Sequence, residues 1–249
     1  MSESNTALST TRTPETGGTG VVIAFDLDGT LVDTAPDLIA TLNEVFARND
    51  VPPLPYDIGR AMIGGGVKIL LEKGLTEQGR PFTPEDIDRL FRDYLAHYSA
   101  HIADRSRPFP GVEDALNTLA AQGFRLAVCT NKLEGLSKQL LDALGMSSRF
   151  AAICGQDTFG TPKPHPDMLR KTIVMAGGDP GRCIMVGDSV TDIDTAKAAG
   201  VPVIAVDFGY TELPVSHFNP DRIISHFSQL ADTIHALTAE NVGKPQKAS

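Results

Sequence analysis

The chain has 249 residues, 41% of them hydrophobic and 21% charged, and a formal net charge of −9 at neutral pH. That length allows one good-sized core plus a smaller domain, since domains commonly run to about 100–150 residues, and the composition excludes a disordered chain. Acidity of this size repels nucleic-acid backbones and anionic membranes, so an anionic small molecule needs a local positive site.

Residues 1–20, "MSESNTALSTTRTPETGGTG", carry neither a basic start with an apolar core nor an Arg-rich, acid-poor make-up. They read as the disordered tail of a cytoplasmic protein. No apolar run reaches the roughly 18 residues of a membrane span. Four shorter runs, "VVIAFD", "FRLAVCTN", "CIMVGD" and "VPVIAVDFG", end abruptly in polar residues or glycine, and a fifth, "RFAAICG", is weaker. Such runs predict buried parallel strands. Helical spacing lies between them: Val112, Ala115, Leu116 and Leu119 before Gly123; Leu136, Leu140, Leu141 and Leu144 before Gly145; Met168, Leu169, Ile173 and Val174 before Gly177. The alternation predicts a doubly wound, Rossmann-like α/β core over residues 21–35 and 108–239.

Residues 36–107 break the rhythm with two amphipathic helices. One carries Leu38, Ile39, Leu42, Val45 and Phe46, the other Ile87, Leu90, Phe91, Tyr94, Leu95 and Tyr98. The expectation is an all-helical unit inserted after the first strand, entered near "TAPD" and left near "RSRPFPG". Residues 240–249 read as a polar tail. Cys129, Cys154 and Cys183 show no CxxC spacing and are expected as reduced, buried thiols. His97 and His101 stand four apart with no third ligand nearby, which favours an exposed helix face over a metal pair.

Ligands of open α/β sheets bind beyond the carboxyl ends of the strands, and polar residues cluster there: "DLDGT" after the first strand, "TNK" after the second core strand and "GDSVTD" after the "CIMVGD" strand. If those strands are neighbours, Asp26, Asp28, Thr130, Asn131, Asp188 and Asp192 share one crevice, joined by Lys163 from the proline-stiffened "TPKPHP". One cation among several acids suits phosphoryl transfer: a carboxylate attacks, Mg²⁺ neutralises charge, and lysine, hydroxyl and amide donors hold the oxygens. Asp26 and Asp188 suit a hard divalent ion, with Asp192 bracing or ligating. Asp26 and Asp28, two apart, face the same side and divide the nucleophile and acid/base roles. Asp188 and Asp192 also fit a helix N-cap on their own.

With its motifs in this order the chain resembles the haloacid dehalogenase superfamily phosphatases: "DLDGTLVDT" resembles the first motif, Thr130 the second, Lys163 the third and "GDSVTD" the fourth. The resemblance implies Asp26 as nucleophile, Asp28 as acid/base, Thr130, Asn131 and Lys163 at the phosphate, and Mg²⁺ held by Asp26, Asp28 and Asp188 with Asp192 in support. It also implies a helical cap over residues 36–107. "IGGGVKILLEKGL" and "KPHPDML" resemble the phosphoglycolate phosphatases, which implies 2-phosphoglycolate as substrate. Amides of Gly64 and Gly65, helped by Arg60 or Lys68, are the expected contacts for its carboxylate. Other small-metabolite phosphatases and β-phosphoglucomutase-like enzymes share both aspartates, and a phospho-receiver signalling module shares an acid, threonine and lysine site. The inserted helices and the acid at Asp28 count against the receiver.

Overall fold

The structure is a computed structural model that describes residues 20–211 and 213–242. The expected tails lie outside the described residues, except that the last helix runs to Val242, past the expected tail start at residue 240. No described helix is long and apolar enough to cross a membrane.

The core is a six-stranded parallel sheet in the order β5-β4-β1-β6-β7-β8. Its strands are β1 (Val22–Phe25), β4 (Arg125–Cys129), β5 (Ala152–Cys154), β6 (Cys183–Gly187), β7 (Val203–Val206) and β8 (Arg222–Ile224). β1, β6 and β7 are buried at every residue, because helices cover both faces and leave no side for polar alternation. β8 was not expected from the sequence. It is a three-residue edge strand following "HFNPD", half exposed and too short to form an apolar run.

After β1 the chain turns to one side for β4 and β5, then crosses back to β6, β7 and β8. β1 therefore sits at the switch point, where ligands of such sheets bind. Phe25 pairs with both Val128 and Val186, so β1, β4 and β6 end level and deliver Asp26, Thr130 and Asp188 to one edge. The helices of the core are α5 (Val112–Ala121), α6 (Glu134–Ala143), α7 (Pro166–Met175), α8 (Val190–Ala199) and α9 (Leu230–Val242).

Between β2 (Val32–Asp33) and β3 (Arg107–Pro108), a two-stranded antiparallel ribbon, lie four helices: α1 (Ala35–Ala47), α2 (Tyr56–Ala61), α3 (Val67–Glu77) and α4 (Pro84–Ala100). The two strongly periodic segments form α1 and α4. The latter starts on a Thr83–Asp86 capping box and buries Ile87, Leu90, Tyr94 and Tyr98. α2 and α3 escaped the pattern because glycine weakens helical propensity, yet packing requires it: a Cβ on Gly59 would lie 2.7 Å from Ile39 Cδ1.

Cys129, Cys154 and Cys183 are free and buried. Burial pushes the Cys129 and Cys183 thiols up to about 12, so neither supplies a thiolate. His97 and His101 stack at 4.5 Å, the first beside Thr41 and the second paired with Asp104.

The two junctions of the helical insert are tied by one carboxylate. Asp37, in the first turn of α1, accepts hydrogen bonds from the Arg105 and Ser106 amides and from the Ser106 hydroxyl, at 2.7–3.1 Å. It is 3% exposed, so its loss leaves these donors dry and unpaired. Asp37→Ala should lower unfolding free energy by about 3 kcal/mol in urea titration; a change below about 1 kcal/mol would show that the tie is dispensable.

Candidate active site

Asp26 leaves β1 with its carboxylate turned back on the chain: Oδ1 accepts the Leu27 amide at 2.7 Å and lies 3.0 Å from Lys163 Nζ. The same ammonium donates to Asp192 Oδ1 at 2.6 Å. Asp192 also caps its helix, its Oδ2 accepting the Asp188 and Ser189 amides and the Ser189 hydroxyl. It therefore caps α8, as its position allowed, and pairs with Lys163, a contact the sequence did not suggest. Asp188 Oδ1 accepts the Thr30 hydroxyl at 2.9 Å and Oδ2 the Tyr210 amide at 2.8 Å.

This packing has no room for side chains beside Asp188. A Cβ on Gly29, whose φ is +82°, would lie 2.4 Å from Asp188 Oδ2, and one on Gly209 2.3 Å from it. The glycine of "DLDGT" thus serves both the turn and the approach of the carboxylate.

Ligand oxygens of Asp26, Asp188 and Asp192 lie within 4.8 Å of one another, all buried. Three negative charges face one ammonium. Burial raises the Asp26 carboxyl from 3.8 to about 6 despite Lys163, and burial with repulsion from Asp192 and Asp26 raises Asp188 to about 8. Burial alone would lower Lys163, but Asp192 and then Asp26 hold it above the ordinary lysine range. The donor set is all oxygen and short of positive charge, which fits a hard divalent cation. Asp26, Asp188 and Asp192 are the carboxylates close enough to share such an ion, Asp192 while also held by Lys163 and by the Asp188 and Ser189 amides.

Asp28 faces a different cation. Its Oδ1 accepts the Thr34 hydroxyl at 2.7 Å, and Lys132 Nζ lies 3.1 and 3.2 Å from its two oxygens. Its carboxylate is outside the trio above, so any share in a metal site falls to backbone near it. Both Asp26 and Asp28 border a cavity of about 40 Å³ between the sheet edge and the insert, as do Thr130 and Asn131. Asn131 is more brace than ligand: its amide nitrogen donates to the Lys163 carbonyl at 3.1 Å and its oxygen accepts the Lys163 amide at 2.9 Å, locking two loops together.

Of the residues expected to contact a substrate carboxylate, only Gly64 borders this cavity. Arg60 instead donates to the carbonyls of Phe208 and Gly209 at 3.0 and 2.7 Å and stacks over Tyr210. Lys68 pairs with exposed Asp88 at 2.6 Å. Gly65 lies against Ile69 outside the cavity. Sequence reasoning passed over Lys132 although it completes "TNK", over Tyr98 because it fitted an apolar helix face, and over Tyr210, which follows the "VPVIAVDFG" segment and whose place in the loop beyond that strand was its signal.

Because both carboxyls are raised above 3.8, the folded chain binds protons more tightly than the unfolded one. Their contribution to stability is full below about pH 4 and lost as pH rises through about 6 and then 8. In EDTA, Asp188→Asn should therefore gain melting temperature over the wild type, by more at pH 8 than at pH 5. Calorimetric scans in which the gain is constant or shrinks with pH would contradict this assignment.

A family profile for haloacid dehalogenase-like hydrolases matches residues 23–206. The chain is 49% identical over 209 residues to a phosphoglycolate phosphatase of Mesorhizobium japonicum, covering 84% of this chain and 92% of that one. It is 47% identical to one of Caulobacter vibrioides, covering 84% and 88%. A crystal structure described as a predicted phosphoglycolate phosphatase from Haemophilus somnus superposes with a TM-score of 0.80 at 29% identity, over 86% of this chain and 97% of that chain. With the switch-point carboxylates in place and the match running through all four motifs, the chain belongs to the haloacid dehalogenase-like hydrolases.

Proposed function

We propose that this chain is a Mg²⁺-dependent phosphatase that hydrolyses 2-phosphoglycolate to glycolate and phosphate through an aspartyl-phosphate on Asp26. The observation that carries the reading is Asp26 itself, at the switch point, 3.0 Å from Lys163 and beside Asp188 under a small cavity. The names of the relatives support the substrate.

Asp26 Oδ1 is held by Lys163 and the Leu27 amide, which leaves Oδ2 to attack phosphorus. Lys163 and Thr130 hold the transferring oxygens. Asp28 gives its proton to the departing alkoxide, then takes one from the water that cleaves the aspartyl-phosphate, so the protons balance over the cycle. Mg²⁺ held by Asp26, Asp188 and backbone near Asp28 would supply the charge neutralisation that lets two anions meet. Helices α1 to α4 form the cap, whose apolar wall excludes bulk water from the intermediate.

Phosphate release across a panel of phosphorylated metabolites, with Mg²⁺ or with EDTA, tests this. Phosphoglycolate should lead and EDTA should abolish turnover. Asp26→Asn should lower kcat by about 10⁴-fold or more with the fold intact by circular dichroism; retained turnover in that variant would remove the covalent mechanism.

A further inference from the structure

The proposed substrate brings a second anion into a cavity walled mostly by apolar side chains, and Arg60 and Lys68 are engaged elsewhere. Among the described residues bordering that cavity, Lys132 is the one cationic side chain. Its side chain is 4% exposed, and its ammonium sits 4.5 Å from the Tyr98 ring centroid. Two of its N–H groups are taken by Asp28, leaving a third for another acceptor.

Two further observations point to a ligand at the same place. The Tyr98 hydroxyl is buried with no hydrogen-bond partner, on a residue of the cavity wall. α3 begins at that wall, at Gly66 and Val67, without a side-chain cap, so its first amides are unpaired donors at the positive end of the helix. Gly66, at φ +88°, brings this turn onto the Lys132 loop: a Cβ there would lie 3.4 Å from the Asn131 carbonyl. The Lys132 loop is itself braced, its carbonyl accepting the Gln156 amide at 3.1 Å and its amide donating to Thr130 Oγ1 at 3.2 Å.

We propose that Lys132, with the Tyr98 hydroxyl and the first amides of α3, binds the carboxylate of the substrate and is the specificity-determining cation of this site. The inference rests on the reading of the substrate as a two-carbon phosphate ester bearing a carboxylate. In such an ester the two anionic ends are a few bonds apart. Thr130 and Lys132, two residues apart on one loop, therefore contact both ends, and the same ammonium ties the bound carboxylate to Asp28.

The test is selectivity, because an effect of Lys132 on Asp28 alone would be shared by every ester and cancel in a ratio. Phosphate release from 2-phosphoglycolate, ethyl phosphate and phosphoethanolamine should rank the wild type in that order of kcat/KM. Lys132→Met should lower the phosphoglycolate to ethyl phosphate ratio by about 30-fold or more, chiefly through KM, and Lys132→Arg should keep most of it. A ratio unchanged in Lys132→Met would overturn the role of Lys132 while leaving the substrate reading intact. A wild type with no preference for phosphoglycolate over ethyl phosphate would overturn both. If Lys132→Met does not fold, the wild-type ranking decides, since turnover of the cationic phosphoethanolamine equal to that of phosphoglycolate contradicts a cationic subsite.

Discussion

Three carboxylates buried against a single ammonium, at the edge of a parallel sheet, are the constraint around which this molecule is arranged. Uncompensated buried charge is among the most costly things a fold can contain, and here Asp26, Asp188 and Asp192, when all are ionised, exceed Lys163 by two charges. The surrounding chain offsets this with directed donors: the amides of Leu27, Asp188, Ser189 and Tyr210 and the hydroxyls of Thr30 and Ser189. The remaining deficit of that ionised state matches the charge of one divalent ion, and an all-oxygen donor set fits a hard cation.

The helical insert is coupled to that cluster at the junction where α1 begins. Tyr210 donates its backbone amide to Asp188, while its phenol donates to Asp33 and accepts the amides of Thr34 and Ala35, where α1 begins. Arg60 of α2 lies over the same ring. Tilting the insert must therefore strain contacts one residue away from a candidate metal ligand. On the other side of the cavity, Lys132 and Tyr98 join core and insert across the Asp28 carboxylate. The same residues thus border the candidate site and join the insert to the core.

The fold was legible wherever burial on two faces forced long apolar runs, as in β1, β4, β6 and β7, and wherever one apolar stripe forced helical period, as in α1 and α4. It was illegible where short range contradicted tertiary need. β8 is held by pairing with β7 at an edge rather than by burial, and Gly59 and Gly74 sit in helices because Ile39 and Phe46 press on them. At the site, the acids and Lys163 were readable because strand-end position restricts what they can face. The division of labour between the two lysines was not, since "TNK" and "TPKPHP" each place one cation near two aspartates and only the three-dimensional pairing assigns Lys163 to Asp26 and Lys132 to Asp28. Arg60 and Lys68 misled because proximity in sequence to "GGGV" says nothing of which side of the turn their charges take.

The charge deficit admits a direct count. Metal-free protein titrated with Mg²⁺ at pH 7, in two buffers of different ionisation enthalpy, reports calorimetrically how many protons leave as the metal enters. The account predicts saturable binding with release of about one proton, and loss of that release in Asp188→Asn. Absence of binding, or heats identical in both buffers, would contradict the claim that these buried carboxylates exchange protons for a divalent ion.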